Sequence, residues 1–314
     1  QTCALPIWNG GGVMRYLVID IGGSFIKYAL MDGAYYVMMT DQLPTPKEGR
    51  DELVEALGKL YDRFAGEIDG MAIAAPGIID SRKGYFYTGG ALRYNEGFAM
   101  KEALLKRCPT KIHIENDGKC AAMAEAELGC LSDVENGVVL VLGTMIGGGI
   151  IKDGKLYKGS HFSAGEVSFI CTAGTEKPDS GNIWGNRCGG VSLVKRVAEK
   201  KKLPCEALDG KQVFLLAGDG DKEALECLDE YTRELAIQIF NLQNILDPER
   251  FAIGGGISGQ PLLMEYIRKN LDEIYSEFTY IVRRAEVVTC QYLNVSNLLG
   301  ALVCYLKEEQ ETAH

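Results

Sequence analysis

The sequence lacks the features that would place it in a membrane or outside the cell. No apolar run reaches the ~20 residues that a membrane-spanning helix needs, and no secretory signal is recognisable. The ten cysteines are scattered along the chain and include no C-x-x-C pair. Because paired spacing is typical of disulfide frameworks and metal sites, we expect reduced thiols in a cytoplasmic protein.

The chain also has few basic residues. Its 33 lysines and arginines stand against 43 aspartates and glutamates, which gives a net charge of −10 at pH 7. This balance argues against nucleic acid or an anionic membrane as the main partner. It does not exclude a small anionic ligand, because local backbone N–H groups are enough to bind one. The length of 314 residues predicts two domains.

The first thirteen residues, 1–13, differ from the rest of the chain. Met14 is followed at once by an apolar strand, so we expect the native chain to start there. The segment Ala4–Ile7 resembles translated adapter or vector sequence. Residues 1–13 are therefore interpreted as a non-native leader that has no part in the fold.

A strand-to-helix junction at residues 114–122 carries the strongest signal for chemistry. The run Lys111–Ile114 predicts a short strand, and the small residues of Gly118–Leu128 predict a helix directly after it. Asn116 and Asp117 then lie at the carboxyl end of a strand, where ligands bind in open α/β sheets. A carboxylate there can accept a proton from a bound hydroxyl. The simpler alternative is that either residue is only an N-cap.

Glycine-rich turns follow three apolar strands, at Asp20–Ser24, Gly143–Gly149 and Gly254–Ser258. Glycine lets a backbone approach phosphate closely and aim successive N–H groups at it. None of the turns matches the P-loop or the G-x-G-x-x-G pattern, and the first two lead into strands. Each turn taken alone could be a plain hairpin. Because strand, glycine turn and strand occur twice, we expect a duplicated unit with two similar α/β halves.

Periodicity and turn signals divide the rest of the chain into alternating strands and helices. The other predicted strands are Arg15–Ile21, Phe25–Met31, Tyr35–Met39, Gly70–Ala75, Gly137–Leu142, Ile150–Ile151, Phe251–Ile253 and Ala285–Thr289. The other predicted helices are Lys47–Phe64, Phe98–Cys108, Asp221–Leu246, Pro261–Tyr275 and Asn297–Lys307. This alternation is typical of α/β proteins.

Six motifs occur in the order seen in the ROK family of sugar kinases and regulators, and the resemblance runs from Met14 to Leu306. The motifs are Asp20–Ser24, Ala75–Asp80, Glu115–Asp117, Gly143–Gly149, Ala164–Glu166 and Gly254–Ile257. The resemblance implies an actin-like (ribonuclease H-like) ATPase fold, with ATP and sugar in the cleft between two α/β domains. We expect a small N-terminal domain of residues 14–115 plus 297–312 and a large domain of residues 116–296.

The same resemblance implies a role in phosphoryl transfer for each motif. Asp117 is the general base that takes the proton from the sugar hydroxyl, and Asp20 lies near the Mg²⁺–phosphate group. The residues implied in sugar binding are Asn116, Asp117, Glu166, Gly77 and Gly90. Those implied in ATP binding are Asp20, Gly22, Gly23, Ser24, Gly143, Thr144, Gly254, Gly255 and Gly256. Lys27 could also reach the phosphates, although a strand lysine is more often simply solvated.

The sequence departs from the family pattern at two places, one that concerns zinc binding and one that concerns nucleotide binding. Many members bind a structural zinc through a histidine after the glutamate motif and through a cysteine-rich loop. Phe169 stands at the position of that histidine here, and His161 is misplaced. Because Cys171 and Cys188 lack closely spaced partners and structural zinc needs four nitrogen or sulfur ligands, we predict no zinc site. Met145 replaces a usual glycine, so either nucleotide affinity is altered or the backbone there is ordinary.

A further match narrows the expected substrate. Gly89–Tyr94, Phe98–Glu102 and the zinc-less Glu166 motif are similar to the β-glucoside kinases of the family. The resemblance implies phosphorylation of the primary hydroxyl of the non-reducing glucose in a cellobiose-like disaccharide. Without a zinc loop we expect the reducing end to lie open, with Phe169 or Trp184 stacking on the second ring. A glucokinase or another hexose or N-acetylhexosamine kinase is the alternative.

Two other functions within the resemblance fit the residues less well. Sugar-sensing regulators of the family carry a DNA-binding module before the first glycine turn, whereas Asp20 lies only six residues after Met14 in an acidic chain. A catalytically dead sugar-binding protein is disfavoured because Asp117 and both phosphate turns are intact. We therefore expect ATP and Mg²⁺ as cofactors and a small sugar as partner. A homodimer is expected from the family, and contacts with nucleic acid or membrane are not.

Overall fold

The structure is a computed structural model that describes residues 14–312 except 173, 175, 176, 279, 281, 282, 285 and 294. The predicted leader, residues 1–13, lies outside the described residues. The strands are β1 (Arg15–Ile21), β2 (Phe25–Asp32), β3 (Val37–Pro44), β4 (Gly70–Ala75), β5 (Ile79–Asp80), β6 (Tyr85–Phe86), β7 (Phe98–Ala99), β8 (Lys111–Asn116), β9 (Gly137–Leu142), β10 (Ile146–Lys152), β11 (Lys155–Leu156), β12 (Arg250–Gly255) and β13 (Val287–Thr289). The helices are α1 (Arg50–Phe64), α2 (Met100–Arg107), α3 (Asp117–Leu128), α4 (Trp184–Cys188), α5 (Gly190–Lys200), α6 (Gly210–Gly218), α7 (Lys222–Leu246), α8 (Pro261–Ser276) and α9 (Ser296–Thr312).

Two five-stranded sheets with the same strand order form the frame of the molecule. The first runs β3-β2-β1-β4-β8, and the second runs β11-β10-β9-β12-β13. In each sheet the central strand pairs antiparallel with its hairpin partner and parallel with the strand on its other side. The matching order confirms the predicted α/β class and the duplicated unit.

Helices cover both sheets and fill the space between them. Helices α1 and α2 pack on one face of the first sheet, where Leu53, Leu57 and Leu60 of α1 are buried. The spacing of these leucines places them on one side of the helix. Helices α4 to α8 cover one face of the second sheet, whereas α3 and α9 share a core with residues of both sheets. No helix in the described part of the chain combines the length and hydropathy of a bilayer-crossing segment.

The contact between α3 and α9 is unusually close. A Cβ atom on Gly300 of α9 would lie 1.7 Å from the carbonyl oxygen of Cys120 in α3, so no larger residue fits there without a shift. Helix α9 also packs on β1, β4 and β8 of the first sheet. The predicted division of the chain into a small and a large domain remains a prediction.

The structure differs from the predicted elements at the second glycine turn. Strand β10 begins at Ile146 instead of Ile150, so Gly148 and Gly149 belong to the strand and not to the turn. A Cβ atom on Gly148 would lie 2.4 Å from the Gly165 carbonyl oxygen, and one on Gly149 would lie 2.3 Å from a side-chain carbon of α3. These glycines therefore serve close packing between the strand, α3 and a neighbouring loop.

Two other predicted elements are shifted. Strand β3 spans Val37–Pro44 instead of Tyr35–Met39, because Tyr35 has a left-handed backbone, with φ 65°, and belongs to the hairpin turn. The predicted helix from Phe98 begins at Met100, because β7 pairs with β6 as a short strand before the helix starts.

Candidate active site

Several loops converge at the carboxyl ends of the parallel strands of the first sheet. Asp20 at the end of β1 pairs in register with Ala74 of β4, and Ala75 pairs with Asn116 of β8. The first glycine turn, the loop after β4 and the start of α3 therefore leave the sheet at the same edge. This is the edge at which open α/β sheets bind ligands.

Asn116 holds the loop after β4 against the start of α3. Its Oδ1 accepts a hydrogen bond from the Lys119 amide at 3.0 Å, and its Nδ2 donates to the Gly77 carbonyl at 2.9 Å. Asn116 is thus the N-cap of α3, the simpler of the two roles considered from the sequence. Its part in sugar binding remains a prediction that depends on its second N–H and its remaining lone pair.

Gly77 and Gly90 shape the loops beside that junction. Gly77 has φ +115°, and a Cβ atom there would lie 2.1 Å from the Thr88 carbonyl oxygen. Gly90 has φ +55°, and a Cβ atom there would lie 2.9 Å from the Gly77 amide nitrogen. A side chain at either position would be strained and would collide with backbone. The structure thus brings together two residues that were predicted to border the sugar.

The Asp117 carboxyl is desolvated at the first position of α3. Burial raises its pKa to about 7, and the nearby charges of Asp20 and Glu166 act in the same direction. A hydrogen bond from the Gly118 amide at 2.8 Å and the Lys119 ammonium oppose this rise in pKa. A carboxyl group whose pKa is near neutrality can take a proton and return it, which suits a general base.

Asp20 has a partner that the sequence analysis missed. The Asn297 side chain donates a hydrogen bond to Asp20 Oδ1 at 3.2 Å, from a position 277 residues further along the chain. Burial raises the pKa of Asp20, while Asn297 and Lys27 lower it. Lys27 pairs in register with Asp20 and is exposed on β2. It therefore lies near the carboxylate, and its role toward phosphate remains a prediction.

Glu166 forms an ion pair that the sequence analysis also missed. Lys119, in the first turn of α3, has only 1% of its side chain exposed, and its Nζ lies 3.3 Å from Glu166 Oε1. A buried ammonium group needs such a partner. Ser168 fixes the Glu166 loop, because its Oγ donates to the Ile146 carbonyl and accepts from the Ile146 amide. The only feature of the local sequence that could have indicated this ion pair was a lysine within a helix of small residues.

With the role in sugar binding that the resemblance implies for Glu166, replacing Lys119 with methionine, which removes the charge and keeps most of the side-chain length, should weaken sugar binding and shift the pH profile. Glu166 would lose its partner and its fixed orientation, so we expect the KM for sugar to rise ~10-fold, as for a broken, partly buried ion pair. Lys119 also lowers the pKa of Asp117. The acid limb of kcat should therefore move to higher pH, and steady-state kinetics between about pH 5 and 9 measure both effects.

Lys195→Met is the matched control for this variant. Lys195 is exposed on α5, so the substitution removes the same charge from a different helix. It should leave the KM and the pH profile unchanged. If Lys119→Met behaves like Lys195→Met, the Lys119–Glu166 pair has no part in sugar binding.

The first glycine turn is braced through its carbonyl groups and leaves two amides free. Thr45 donates from Oγ1 to the Gly22 carbonyl at 2.7 Å and from its amide to the Ser24 carbonyl at 3.0 Å. Lys47 donates to the Gly23 carbonyl. Within the described residues, the amides of Gly23 and Ser24 have no backbone acceptor. Free, adjacent amides on a fixed turn form the kind of concavity that binds phosphate.

The second and third glycine turns lie side by side. Strand β12 runs into Gly254–Gly256 alongside Leu142, the last residue of β9. Gly143 and Thr144 follow Leu142 and are exposed. The Gly143 carbonyl accepts a hydrogen bond from the Gly190 amide at 2.7 Å, which joins the second turn to the start of α5. The residues predicted to bind phosphate in this half therefore adjoin those predicted to lie by adenosine.

Met145 does not distort the second turn. It is absent from the residues with positive φ in the described part of the chain, so its backbone is of a kind that most residues adopt. Its Cε would lie 2.8 Å from a Cβ atom on Gly185, so its side chain packs against α4. Of the two possibilities raised from the sequence, the ordinary backbone is correct.

The two aromatic residues that were expected to stack on a second sugar ring, Phe169 and Trp184, differ in exposure. Phe169 is 63% exposed. Trp184 is fully buried in the core of the second half, so its predicted stacking on a second sugar ring is wrong. Such a large ring stabilises the fold most when it is buried. Among the described residues, no group of three His, Cys, Asp or Glu side chains is placed to hold a metal ion.

Known proteins resemble this chain over most of its length. The model of the ROK family matches residues 16–308. A β-glucoside kinase of Listeria monocytogenes is 27% identical over 94% of this chain and 99% of its own. A β-glucoside kinase of Klebsiella pneumoniae is 30% identical over 82% of this chain and 87% of its own. A glucokinase of Halalkalibacterium halodurans is 28% identical over 77% of this chain and 80% of its own.

A solved structure shares the fold as well. It is a ROK family protein from Streptococcus pneumoniae TIGR4 in complex with sucrose, with a TM-score of 0.84 and 29% identity. The similarity covers 95% of this chain and 100% of that chain, and it confirms the predicted actin-like fold. With its motifs inside the matched residues 16–308 and its fold shared over nearly the whole length, the chain belongs to the ROK family.

Proposed function

We propose that this protein is an ATP- and Mg²⁺-dependent kinase that phosphorylates the 6-hydroxyl of a glucose unit, with a β-glucoside disaccharide as the preferred substrate. One observation carries the proposal: the desolvated Asp117, whose pKa is about 7, lies at the carboxyl edge of the first sheet. The first glycine turn, with its free amides, leaves the sheet at the same edge. Relatives named β-glucoside kinase and glucokinase support kinase chemistry.

Asp117 acts as the general base in this proposal. Its carboxylate accepts the proton of the sugar hydroxyl as the hydroxyl oxygen attacks the γ-phosphorus and the bond to the ADP oxygen breaks. Because the pKa is about 7, the group is partly ionised at neutral pH and is basic enough to hold the proton. Glu166, oriented by Lys119, binds hydroxyls of the glucose ring and so selects which hydroxyl faces Asp117.

The free amides of Gly23 and Ser24 bind phosphate oxygens in this proposal, and the exposed Thr144 adds a contact from the second half. Mg²⁺ fits the same place. Burial disfavours the charged form of Asp20 and raises its pKa, so a cation bound at Asp20 would be favourable, and a carboxylate oxygen is a donor that Mg²⁺ prefers. Asp20, with Asn297 beside it, would hold the ion. When bound, Mg²⁺ offsets the charge of the transferred phosphoryl group.

A disaccharide substrate is supported by the surface next to Glu166. Phe169 lies three residues after Glu166, at the end of a short 3-10 helix, and is largely exposed. Its ring is therefore available to stack on a second sugar. The Streptococcus pneumoniae relative has sucrose, a disaccharide, in its structure, and two matched relatives are β-glucoside kinases. A monosaccharide hexose is the alternative substrate.

The kcat/KM for cellobiose or gentiobiose should exceed that for glucose by at least ~10-fold, which corresponds to ~1.4 kcal/mol of transition-state binding. ATP consumption by the purified protein over a panel of sugars measures these values. Equal or faster turnover of glucose would favour a hexokinase of this family. Absence of ATP consumption with every sugar would refute kinase activity itself.

Phe169→Ala tests the second-ring contact directly. The variant should lower kcat/KM for the disaccharide ~3- to 10-fold and leave that for glucose unchanged, because only the second ring would stack on Phe169. Tyr36→Ala is the matched control, since Tyr36 has the same exposed fraction, 63%, at the hairpin between β2 and β3. Equal losses for both sugars in Phe169→Ala would contradict the stacking role.

A further inference from the structure

A second cluster of chemically reactive side chains lies outside the candidate active site. A cavity of about 550 Å³ is bordered by β11, by α9 and by the loop after β5. His113, Cys304 and Glu308 line it, and none of them takes part in the proposed phosphoryl transfer. An imidazole, a thiol and a carboxylate together form the usual composition of an activated nucleophile.

His113 lies between β8 and α9 and pairs with the carboxylate of this cluster. It lies on β8 with 4% of its surface exposed, and its Nδ1 pairs with a carboxylate oxygen of Glu308. Cys304, one helical turn before Glu308 on α9, lines the same cavity as the His113 ring, whose Nε2 is buried without a hydrogen-bond partner among the described residues. Burial alone would lower the pKa of His113, but the thiol and the carboxylate raise it to about 9. The ring is therefore mostly protonated at neutral pH.

Cys120 on α3 belongs to the same buried core as Cys304. The Cys120 carbonyl lies at the close crossing of α3 and α9 at Gly300, one helical turn before Cys304, so the geometry of the crossing brings the two thiols to the same place. The Cys120 thiol and the His113 ring lower the pKa of Cys304 against the effect of burial. Burial raises the pKa of Cys120. One thiol is thus prepared to ionise while the other keeps its proton.

The charged groups around the two thiols balance an anionic sulfur. On β8, Glu115 pairs with Lys158 at 2.7 Å. On α9, Glu308 lies 4.0 Å from Lys101 as well as against His113. Lys307 borders the same cavity. Glu115 and Glu308 therefore each have a cation of their own, and the protonated His113 ring is placed to stabilise a thiolate.

We propose that Cys304 is a modification site: a nucleophilic thiol that attacks low-molecular-weight disulfides entering the cavity, with Cys120 as the resolving thiol. First, the Cys304 thiolate attacks one sulfur of the small disulfide, forms a mixed disulfide and releases a small thiolate, which takes up the proton that Cys304 had lost. Next, the Cys120 sulfur attacks Cys304 Sγ, and its proton leaves with the second small thiol. Two protein thiols are oxidised, and one small disulfide is reduced to two thiols.

Peptide mass spectrometry of the wild-type protein tests this proposal. The reduced full-length protein is incubated with glutathione disulfide at neutral pH, and samples are quenched over time. The Cys120–Cys304 disulfide should form before Cys171 or Cys205 is modified, although both of these are more exposed than Cys304. The order of reaction would then be opposite to the order of exposure. Modification of Cys171 and Cys205 with Cys304 still reduced would overturn the proposal.

Single substitutions separate activation of the thiol from its burial. His113→Asn should slow the reaction of Cys304 ~10-fold, because a larger share of the thiol stays protonated at neutral pH. Cys120→Ser should stop the reaction at a mixed disulfide on Cys304. His161→Asn is the matched control, since His161 is exposed, and it should leave the rate unchanged. Equal rates in His113→Asn and His161→Asn would also overturn the proposal.

Discussion

Replacing Asp117 with asparagine should reduce kcat by about 10²–10⁴-fold while sugar affinity stays within several-fold of wild type. The amide keeps the shape of the side chain and can still accept the hydrogen bond from the Gly118 amide, but it cannot take the proton of the sugar hydroxyl. Steady-state kinetics measure kcat, and titration calorimetry measures sugar affinity. Asp51→Asn, at the exposed start of α1, is the control and should keep full activity. A residual kcat above about one tenth of wild type would remove Asp117 from the mechanism.

The same carboxyl group sets the expected pH dependence of wild-type activity. Asp117 must be ionised to act as a base, and its pKa is about 7. The kcat should therefore fall as pH decreases through 7 and reach a plateau above about pH 8. A plateau that extended down to about pH 5 would show that the group that titrates is not a desolvated Asp117.

Asp117→Asn should also stabilise the fold above neutral pH. The folded-state pKa of about 7 lies above the ~3.9 of an aspartate in an unfolded chain. Between these values the folded state holds more protons, so the stability of wild type decreases as pH rises from ~3.9 to about 7 and then levels off. The asparagine side chain does not titrate, so the variant does not lose stability in this way. Its free energy of unfolding should therefore exceed that of wild type by about 1–4 kcal/mol at about pH 8. Urea denaturation should show a smaller difference at about pH 5.

Gly300→Ala should destabilise the protein by about 3 kcal/mol or more, or prevent it from folding. The added Cβ atom would lie 1.7 Å from the Cys120 carbonyl oxygen. That oxygen belongs to helical backbone and cannot rotate away, so α3 and α9 would have to separate. Because α3 carries Asp117 and α9 carries Asn297, activity should be lost together with stability. Urea denaturation followed by circular dichroism measures the change in the free energy of unfolding.

Gly218→Ala is the matched control for this helix glycine. Gly218 ends α6, and no described atom outside its own neighbourhood lies within 4 Å of an added Cβ. Alanine favours a helix over glycine by up to ~1 kcal/mol, so this variant should be as stable as wild type or slightly more stable. Equal stability of the two variants would show that the close crossing at Gly300 is not required.

Local patterns were enough to locate most elements and the motifs of the candidate site. A glycine turn after an apolar strand and an Asn-Asp pair before a small-residue helix are signals that depend on backbone freedom and capping within a few residues. The predicted helix Lys47–Phe64 is of the same kind, because the spacing of Leu53, Leu57 and Leu60 places them on one side of a helix. These local signals, taken in order, carried the resemblance to the ROK family that the whole-chain match confirms.

Pairs of residues that lie far apart in the sequence could not be predicted in this way. Lys119 and Glu166 are 47 positions apart, and Asp20 and Asn297 are 277 positions apart. No local pattern distinguishes a lysine that is buried against a carboxylate from one that is solvated. Trp184 shows the same limit, because its place in the core depends on helices that come later in the chain.

The sequence by itself indicated the order of most strands and helices, the approximate positions of the glycine turns and the membership of the family. Only the tertiary structure decided the environment of each group. The pKa of Asp117 depends on desolvation by all the atoms packed around its carboxyl group and on the charge of Asp20. The need for glycine at Gly148 and Gly300 likewise comes from backbone contributed by other elements. Burial and close contact are properties of the assembled fold, whereas helix, strand and turn preferences act along the chain.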